Sequence, residues 1–459
     1  MVRLQIAATH KSSGKTTVAT GLCRVFSRQG LVVQPFKKGP DFIDPMWLSK
    51  AARRACYNLD YHTQTVAEIM QLLTTKSAGS DVQIIESNKG LFDGRAVDGS
   101  DSNAALAVLT DSPVVLVIDC QGITRGVAPL LVGYQTFAQQ TMGPGLQLVG
   151  VVLNRIAGPR HEQKLLQAVQ HYSDLPILGT LPRSPSLQIT ERHLGLVPST
   201  EDERAETLIE AMADAIESHV DLPAIMALAA PGKAMSPAKP GLQPEKKSSL
   251  GVARDSAFGF YYADDLEHLQ AAGVELVEFN TLKDRSLPDV DGLFIGGGFP
   301  ETHLQALQSN RSLRKDIARF IEAGRPVYAE CGGLMFLGRS IRWGERTADM
   351  VSALPLSTQM HDKPMGKGYV DLEATGNLCW GPQPGQQLPA HEFHYSSVEA
   401  MDPRICFGYH VRRGFGIDGR HDAIQYRNCI AGYAHHRHTE IHPWTDYLVD
   451  FLSHKVTVI

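Results

Sequence analysis

Apolar positions along this chain follow two alternating rhythms. Short apolar runs lie at positions 4–8, 82–85, 114–118 and 148–153, the last three rich in β-branched residues. Between them, apolar residues recur at three- and four-residue spacing, as on one face of a helix. Continuous apolar strands separated by amphipathic helices predict a parallel sheet covered on both faces over residues 1 to about 220. From position 250 the rhythm restarts, with strands expected at 250–253, 274–277, 291–295 and 326–329. Between the two halves the pattern lapses: Pro231, Pro237, Pro240 and Pro244 fall among Ala, Gly, Lys and Ser. That stretch reads as a semi-extended linker. The expected organisation is therefore an α/β domain at 1–223, a Pro-rich linker at 224–249 and a second α/β domain at 250–459.

The first strand runs into Thr9-His10-Lys11-Ser12-Ser13-Gly14-Lys15-Thr16-Thr17 and then a helical pattern. A strand, a tight loop and a helix N-terminus form a phosphate cradle, because loop amides and the helix dipole point at the anion. Gly14, Lys15, Thr16 and Thr17 are the candidate nucleotide-binding residues, Lys15 for the β- and γ-phosphates and Thr16 for Mg²⁺. Thr9 stands where the usual loop motif has its first glycine. Acidic residues fall at other strand ends: Asp41 and Asp44 after the second apolar run, Glu86 after 82–85, Asp93 in a Gly-containing turn, and Asp119. Asn154 ends the next strand and joins the nucleotide set. Oxygen ligands grouped beside a phosphate loop suit Mg²⁺, with Thr16, Asp41 and Glu86 as its expected ligands. Asp119 is equally well read as a cap for turn amides.

In the second half, Cys331-Gly332-Gly333 follows an expected strand and opens a helix, the form of a nucleophile elbow. The helix N-terminus is expected to lower the thiol pKa. The preceding strand ends in Gly296-Gly297-Gly298, where Gly297 and Gly298 can offer amides to an oxyanion. A cysteine nucleophile needs a base. His435 is the leading candidate; His391 and His394 compete.

Composition adds bounds. With 459 residues at 43% hydrophobic, the chain is long enough for two or three domains and can bury large cores. A net charge of −5 argues against a general nucleic-acid binder. Seven cysteines at wide spacing, without a C-x-x-C pair, favour a reduced, cytoplasmic protein over a disulfide framework. No signal peptide or 18-residue apolar run is seen, so no membrane association is expected.

Together these residues resemble the cobyrinic acid a,c-diamide synthase family across essentially the whole chain. The motifs that carry it are Ser13-Gly14-Lys15-Thr16-Thr17, Phe36-Lys37 with Gly39-Pro40-Asp41-Phe42-Ile43-Asp44-Pro45, Asn58-Leu59-Asp60, Gly90-Leu91-Phe92-Asp93-Gly94 and Glu191-Arg192-His193-Leu194-Gly195-Leu196-Val197-Pro198. In the second half they are Val252-Ala253-Arg254-Asp255, Gly296-Gly297-Gly298-Phe299-Pro300-Glu301, Cys331-Gly332-Gly333-Leu334-Met335 and His391-Glu392-Phe393-His394-Tyr395-Ser396. The resemblance implies an N-terminal ATP-dependent amidoligase, similar to dethiobiotin synthetase, fused to a class I glutamine amidotransferase domain. It implies amidation of two acetate carboxylates of a tetrapyrrole polycarboxylate, with glutamine and ATP as co-substrates, in cobalamin biosynthesis. By resemblance, Asp41, Asp44, Glu86 and Asp93 serve Mg²⁺, ATP and the substrate carboxylate. Cys331 is the glutaminase nucleophile and His435 assists it; a homodimer is one assembly the family allows. Three departures stand out: Glu86-Ser87-Asn88-Lys89-Gly90 where members often read Glu-Gly-Val-Met-Gly, Lys38 where an apolar residue is common, and Arg437 in place of a second histidine. Amidation of sirohydrochlorin or sirohaem is the alternative within the family's relatives. A nucleotide-switch regulator of the partitioning-ATPase type is the alternative from another class.

Overall fold

The computed structural model describes residues 1–192, 195–232 and 245–453. The chain divides into two units, Met1–Pro240 and Gly241–Ile459. His193 and Leu194 of the quoted 191–198 motif, and Pro237, Pro240 and Pro244 of the expected linker, lie outside the described residues.

In the first unit, strands and helices alternate: β1 (Val2–Ala8), α1 (Lys15–Arg28), β2 (Val33–Lys38), α2 (Ile43–Ala52), β3 (Tyr57–Leu59), α3 (Val66–Lys76), β4 (Val82–Glu86), α4 (Asn103–Leu109), β5 (Val114–Asp119), α5 (Val127–Thr141), β6 (Leu148–Ile156), α6 (Pro159–Tyr172) and β7 (Ile177–Pro182). The sheet order is β3-β2-β4-β1-β5-β6-β7, and every pairing along it is parallel. An antiparallel two-residue strand, Ala230–Pro231, adds to β1. A parallel sheet needs helices on both faces, and two separate cores supply them. Val18, Leu22, Trp47 and Met212 fill one face, under α1, α2 and α7 (Ala205–His219). Ala104, Leu131 and Leu165 fill the other, under α4, α5 and α6. Because the strands are parallel and in register, their carboxyl ends align: Ile6 lies opposite Glu86, Lys37 opposite Glu86, and Asp119 opposite Asn154. Loops after β1, β2, β4 and β6 therefore open at one edge, where such sheets bind ligands.

The expected linker is partly structured. Residues 224–228 belong to α8 (Leu222–Leu228), which Asp221 caps by accepting from the Ala224 amide. Ser248 and Ser249 already pair in the next sheet.

The second unit holds a nine-stranded sheet. Five strands run parallel, in the order Val274–Phe279, Ser248–Ala253, Gly292–Ile295, Val327–Glu330, Cys429–Gly432. Four antiparallel strands extend it: His421–Tyr426, Cys406–Arg413, Gly366–Ala374 and Gln387–His394. Strand Val327–Glu330 lies beside Cys429–Gly432 with Glu330 opposite Gly432. That register brings the residues following each strand, Cys331 and the 433–438 segment, to the same sheet edge. All seven cysteines are unpaired. Among the described residues, no helix is long and apolar enough to cross a membrane.

Candidate active sites

In the first unit, β1 delivers the chain to a loop that turns at Gly14, whose φ is +92°. Asn154, at the end of β6, donates from Nδ2 to the Ser13 carbonyl at 2.9 Å, and the Tyr134 hydroxyl donates to the Thr9 carbonyl at 2.6 Å. Two side chains from neighbouring elements thus hold the loop. Lys15 is buried, and its Nζ donates to the His10 carbonyl at 3.3 Å. Burial, reinforced by repulsion from Lys37, pulls its pKa down to about 8. The Thr17 hydroxyl donates to the Leu187 carbonyl at 3.3 Å.

Glu86 is the centre of this site. It is fully buried, and its Oε1 accepts from the Thr16 hydroxyl at 2.7 Å and lies 3.2 Å from Lys37 Nζ. Its Oε2 is buried without a hydrogen-bond partner. Burial dominates its ionisation and raises its pKa to about 7, against the pull of Lys37. Lys37 also sits 2.5 Å from Asp44 Oδ2 and donates to the Ser87 carbonyl at 3.2 Å. Burial works against the Lys37 ammonium, but Asp44, Glu86 and Asp41 together outweigh it and keep it charged. Asp41 Oδ1 accepts from the amides of Ile43 and Asp44, at 2.9 and 3.0 Å, at the start of α2. Burial, then the Asp44 charge, lifts its pKa to about 6. Asp93 is exposed; its Oδ2 accepts from the Gly90 amide at 2.9 Å, and its charge supports the Lys15 ammonium.

Asp41, Asp44, Glu86, Lys15 and Thr16 are thus brought together, while Thr17 and Asn154 turn to protein partners. Asp119 accepts from the Gln121 amide and pairs with Arg155 at 2.5 Å, the capping alternative. Sequence reading gave no role to Lys37 or to Asn103. Asn103 Nδ2 donates to the Asn88 and Gly90 carbonyls at 2.6 and 2.7 Å, clamping the loop that follows Glu86. Lys37 carried a signal: a lysine inside a strand of a sheet covered on both faces needs a buried counter-charge.

In the second unit, Cys331 caps the six-residue helix Gly332–Leu337 with φ +47° and ψ −102°. That conformation is rare for a residue with a side chain and marks a strained elbow. The thiol is buried, with Sγ 3.9 Å from the Phe393 carbonyl. Here the expectation of a lowered thiol pKa fails. Burial first, then the charge of Glu301, pushes the Cys331 thiol well above the usual range. A six-residue helix beside Glu330 and Asp422 offers too little positive potential to reverse that.

His435 is buried beside the elbow. A Cβ on Gly297 would stand 2.5 Å from His435 Cε1, and one on Gly332 would stand 3.1 Å from the Gly298 nitrogen. The Gly297–Gly298 turn is therefore wedged between histidine and elbow, and only glycine leaves room. His435 Nδ1 donates to Glu330 Oε2 at 3.1 Å. The competing histidines are placed otherwise. His391 stacks on the His435 ring at 4.9 Å, with the Tyr262 hydroxyl 3.2 Å from its Nδ1. His394 donates to the Ser396 carbonyl at 2.8 Å and stacks on Tyr433 at 3.7 Å.

Two domain families match. Residues 4–197 match the CobQ/CobB/MinD/ParA nucleotide binding domain, and residues 249–441 match the CobB/CobQ-like glutamine amidotransferase domain. The chain is thus a nucleotide-binding domain joined to a glutamine amidotransferase, and the second match removes the nucleotide-switch alternative. A cobyrinate a,c-diamide synthase of Magnetococcus marinus is 46% identical over 98% of this chain and 97% of that protein. Its counterpart from Archaeoglobus fulgidus is 39% identical over 94% of this chain and 93% of that protein. The chain belongs to the cobyrinate a,c-diamide synthase family.

Proposed function

We propose that the protein converts the a- and c-acetate carboxylates of a cobyrinate-type tetrapyrrole into amides, using ATP and glutamine. One observation carries the reading: a single chain, alike over nearly its whole length to cobyrinate a,c-diamide synthases, holds both a phosphate-loop site and a cysteine elbow.

A carboxylate is a poor acyl donor, because its leaving group would be oxide. Transfer of the ATP γ-phosphoryl group makes an acyl phosphate, which ammonia attacks to give the amide and phosphate. Lys15 and Lys37 neutralise charge on the transferring group. The orphaned Glu86 Oε2, with Thr16 and Asp41 close by in the same charge network, fits a hard divalent cation. Mg²⁺ bound there supplies charge neutralisation on the phosphates. Asp44 holds Lys37, and Asp93 supports Lys15 from the rim. In the other unit, the Cys331 proton passes to His435, and the sulfur attacks the glutamine amide carbon. The Gly297 and Gly298 amides face the oxyanion; ammonia leaves, and water releases glutamate from the thioester.

The test is incubation with ATP, Mg²⁺ and amide-labelled glutamine plus cobyrinate, hydrogenobyrinate or sirohydrochlorin, followed by mass analysis. Two labelled amides on a cobyrinate-type substrate are expected, and none with Lys15→Ala. Amidation of sirohydrochlorin alone would move the protein to the sirohaem branch; amidation undiminished in Lys15→Ala would refute the phosphate-loop assignment.

A further inference from the structure

We propose that Glu330 is the positioning carboxylate of the glutaminase site, holding His435 in the orientation and tautomer that accept the Cys331 proton. This rests on reading Cys331 as nucleophile and His435 as base.

Glu330 ends strand Val327–Glu330 and immediately precedes the nucleophile. It is 3% exposed. Each carboxylate oxygen has a defined task. Oε2 accepts from His435 Nδ1 at 3.1 Å. Oε1 accepts from the Tyr328 hydroxyl at 2.8 Å and from the His436 backbone amide at 3.0 Å. The two donors on Oε1 are neutral and belong to the strand and to the His435 segment, so they fix the carboxylate plane without neutralising it. Among the described residues no lysine or arginine pairs with Glu330. A buried carboxylate left without a cation is costly. The positive charge that meets Oε2 is the imidazolium that forms when His435 takes a proton.

Three neighbouring acids are committed to other partners. Two residues beyond His435 stands Arg437, whose guanidinium reaches Asp264 at 2.7 Å and lies 4.9 Å from the Tyr262 ring centre. Asp422 is spent on the Tyr433 and Ala434 amides, at 2.9 and 2.8 Å. Glu392 accepts from the Phe415 and Gly416 amides, at 2.7 and 2.8 Å.

The chemistry balances simply. The S–H bond of Cys331 breaks and an N–H bond forms at His435 Nε2. The Nδ1 proton stays on the ring, and Glu330 gains none; it stabilises the imidazolium and fixes which nitrogen faces the sulfur. Such help matters here, because a buried thiol gives up its proton reluctantly.

The test is Glu330→Gln in the full chain, which keeps size and removes charge. Glutamine-hydrolysis kcat should fall roughly 100-fold, with KM near the parent value. The acidic limb of kcat/KM should move to lower pH, because the imidazolium loses the carboxylate that faces it. Glu330→Asp keeps the charge one methylene further away and should hold the parent limb at an intermediate kcat. Should Glu330→Gln fail to fold, the parent protein supplies a second readout. A far-downfield imidazole proton in its NMR spectrum, lost in His435→Asn, supports the bond. Absence of that proton, or folded Glu330→Gln with the parent kcat and pH profile, overturns the inference. Retained glutamine hydrolysis in His435→Asn would instead overturn the base assignment on which it rests.

Discussion

Glu86 has one oxygen in two contacts and the other in none, and this asymmetry sets a prediction. Because burial raises the Glu86 pKa to about 7, a proton competes with a cation for this carboxylate as pH falls. Below pH 7 the half-saturating Mg²⁺ concentration should therefore rise about tenfold per pH unit. In Glu86→Gln the turnover should weaken and that pH dependence should vanish. A Mg²⁺ titration of initial rates at several pH values checks both; unchanged Mg²⁺ behaviour would leave Glu86 a structural residue. The sign for stability is opposite to that of a salt-bridged acid. Because the folded pKa is raised, stability from Glu86 is present at low pH and is lost as pH rises through about 7. At this scale the sequence shows which groups carry charge but not whom they face. Glu86 was legible because it ends a strand beside the phosphate loop. Lys37 and Glu330 were not, because their roles arise from neighbours 49 residues and 105 residues away in the chain. Cys331 was found by its glycines, but its ionisation was misjudged, since burial outweighs a short helix.

Helix α1 carries Lys15 and Thr16, and it is held by helix α7. Gly21 is the contact: a Cβ there would stand 2.5 Å from an Ile216 side-chain carbon and 2.9 Å from the Met212 carbonyl. Three residues on, buried Arg24 donates to the Ala51 and Lys50 carbonyls and pairs with Glu206 and Glu210 at 2.6 and 2.5 Å. Gly21→Val should cost ~1–3 kcal/mol by overpacking, read as a lower urea midpoint with an unchanged slope. The ATP affinity of the folded fraction should hold, because the loop residues are anchored separately by Asn154 and Tyr134. Element existence was readable wherever a continuous apolar run met an amphipathic one. Helix α8 was not, because prolines masked its start, although Asp221 followed by Leu222 and Pro223 is an N-cap sequence. The antiparallel strands also escaped the restarted αβ rhythm. Residues 366–374 and 387–394 bury alternate or nearby side chains and leave no continuous apolar run.

Two complete chemistries lie in one chain, and ammonia is all that the proposed mechanism passes between them. Cys331→Ser removes the nucleophile and leaves the phosphate-loop residues as they are. Serine holds its proton at neutral pH, so glutamine-dependent amidation should disappear. Ammonium salt at mildly alkaline pH supplies free ammonia and should restore product. Parent-rate use of glutamine by the variant, or failure of both nitrogen sources while ATP still binds, would break the scheme. The two-domain plan was legible because each half restarts the same strand-and-helix rhythm and ends its strands in different chemistry.

The burial of Cys331 has a further consequence, for survival between turnovers. A protonated thiol behind protein walls reacts slowly with peroxide, whereas accessible thiolates are oxidised first. Cys379 and Cys406 are the exposed cysteines of this chain. Oxidative damage therefore falls first on those two exposed sulfurs, and the buried Cys331 sulfur is spared.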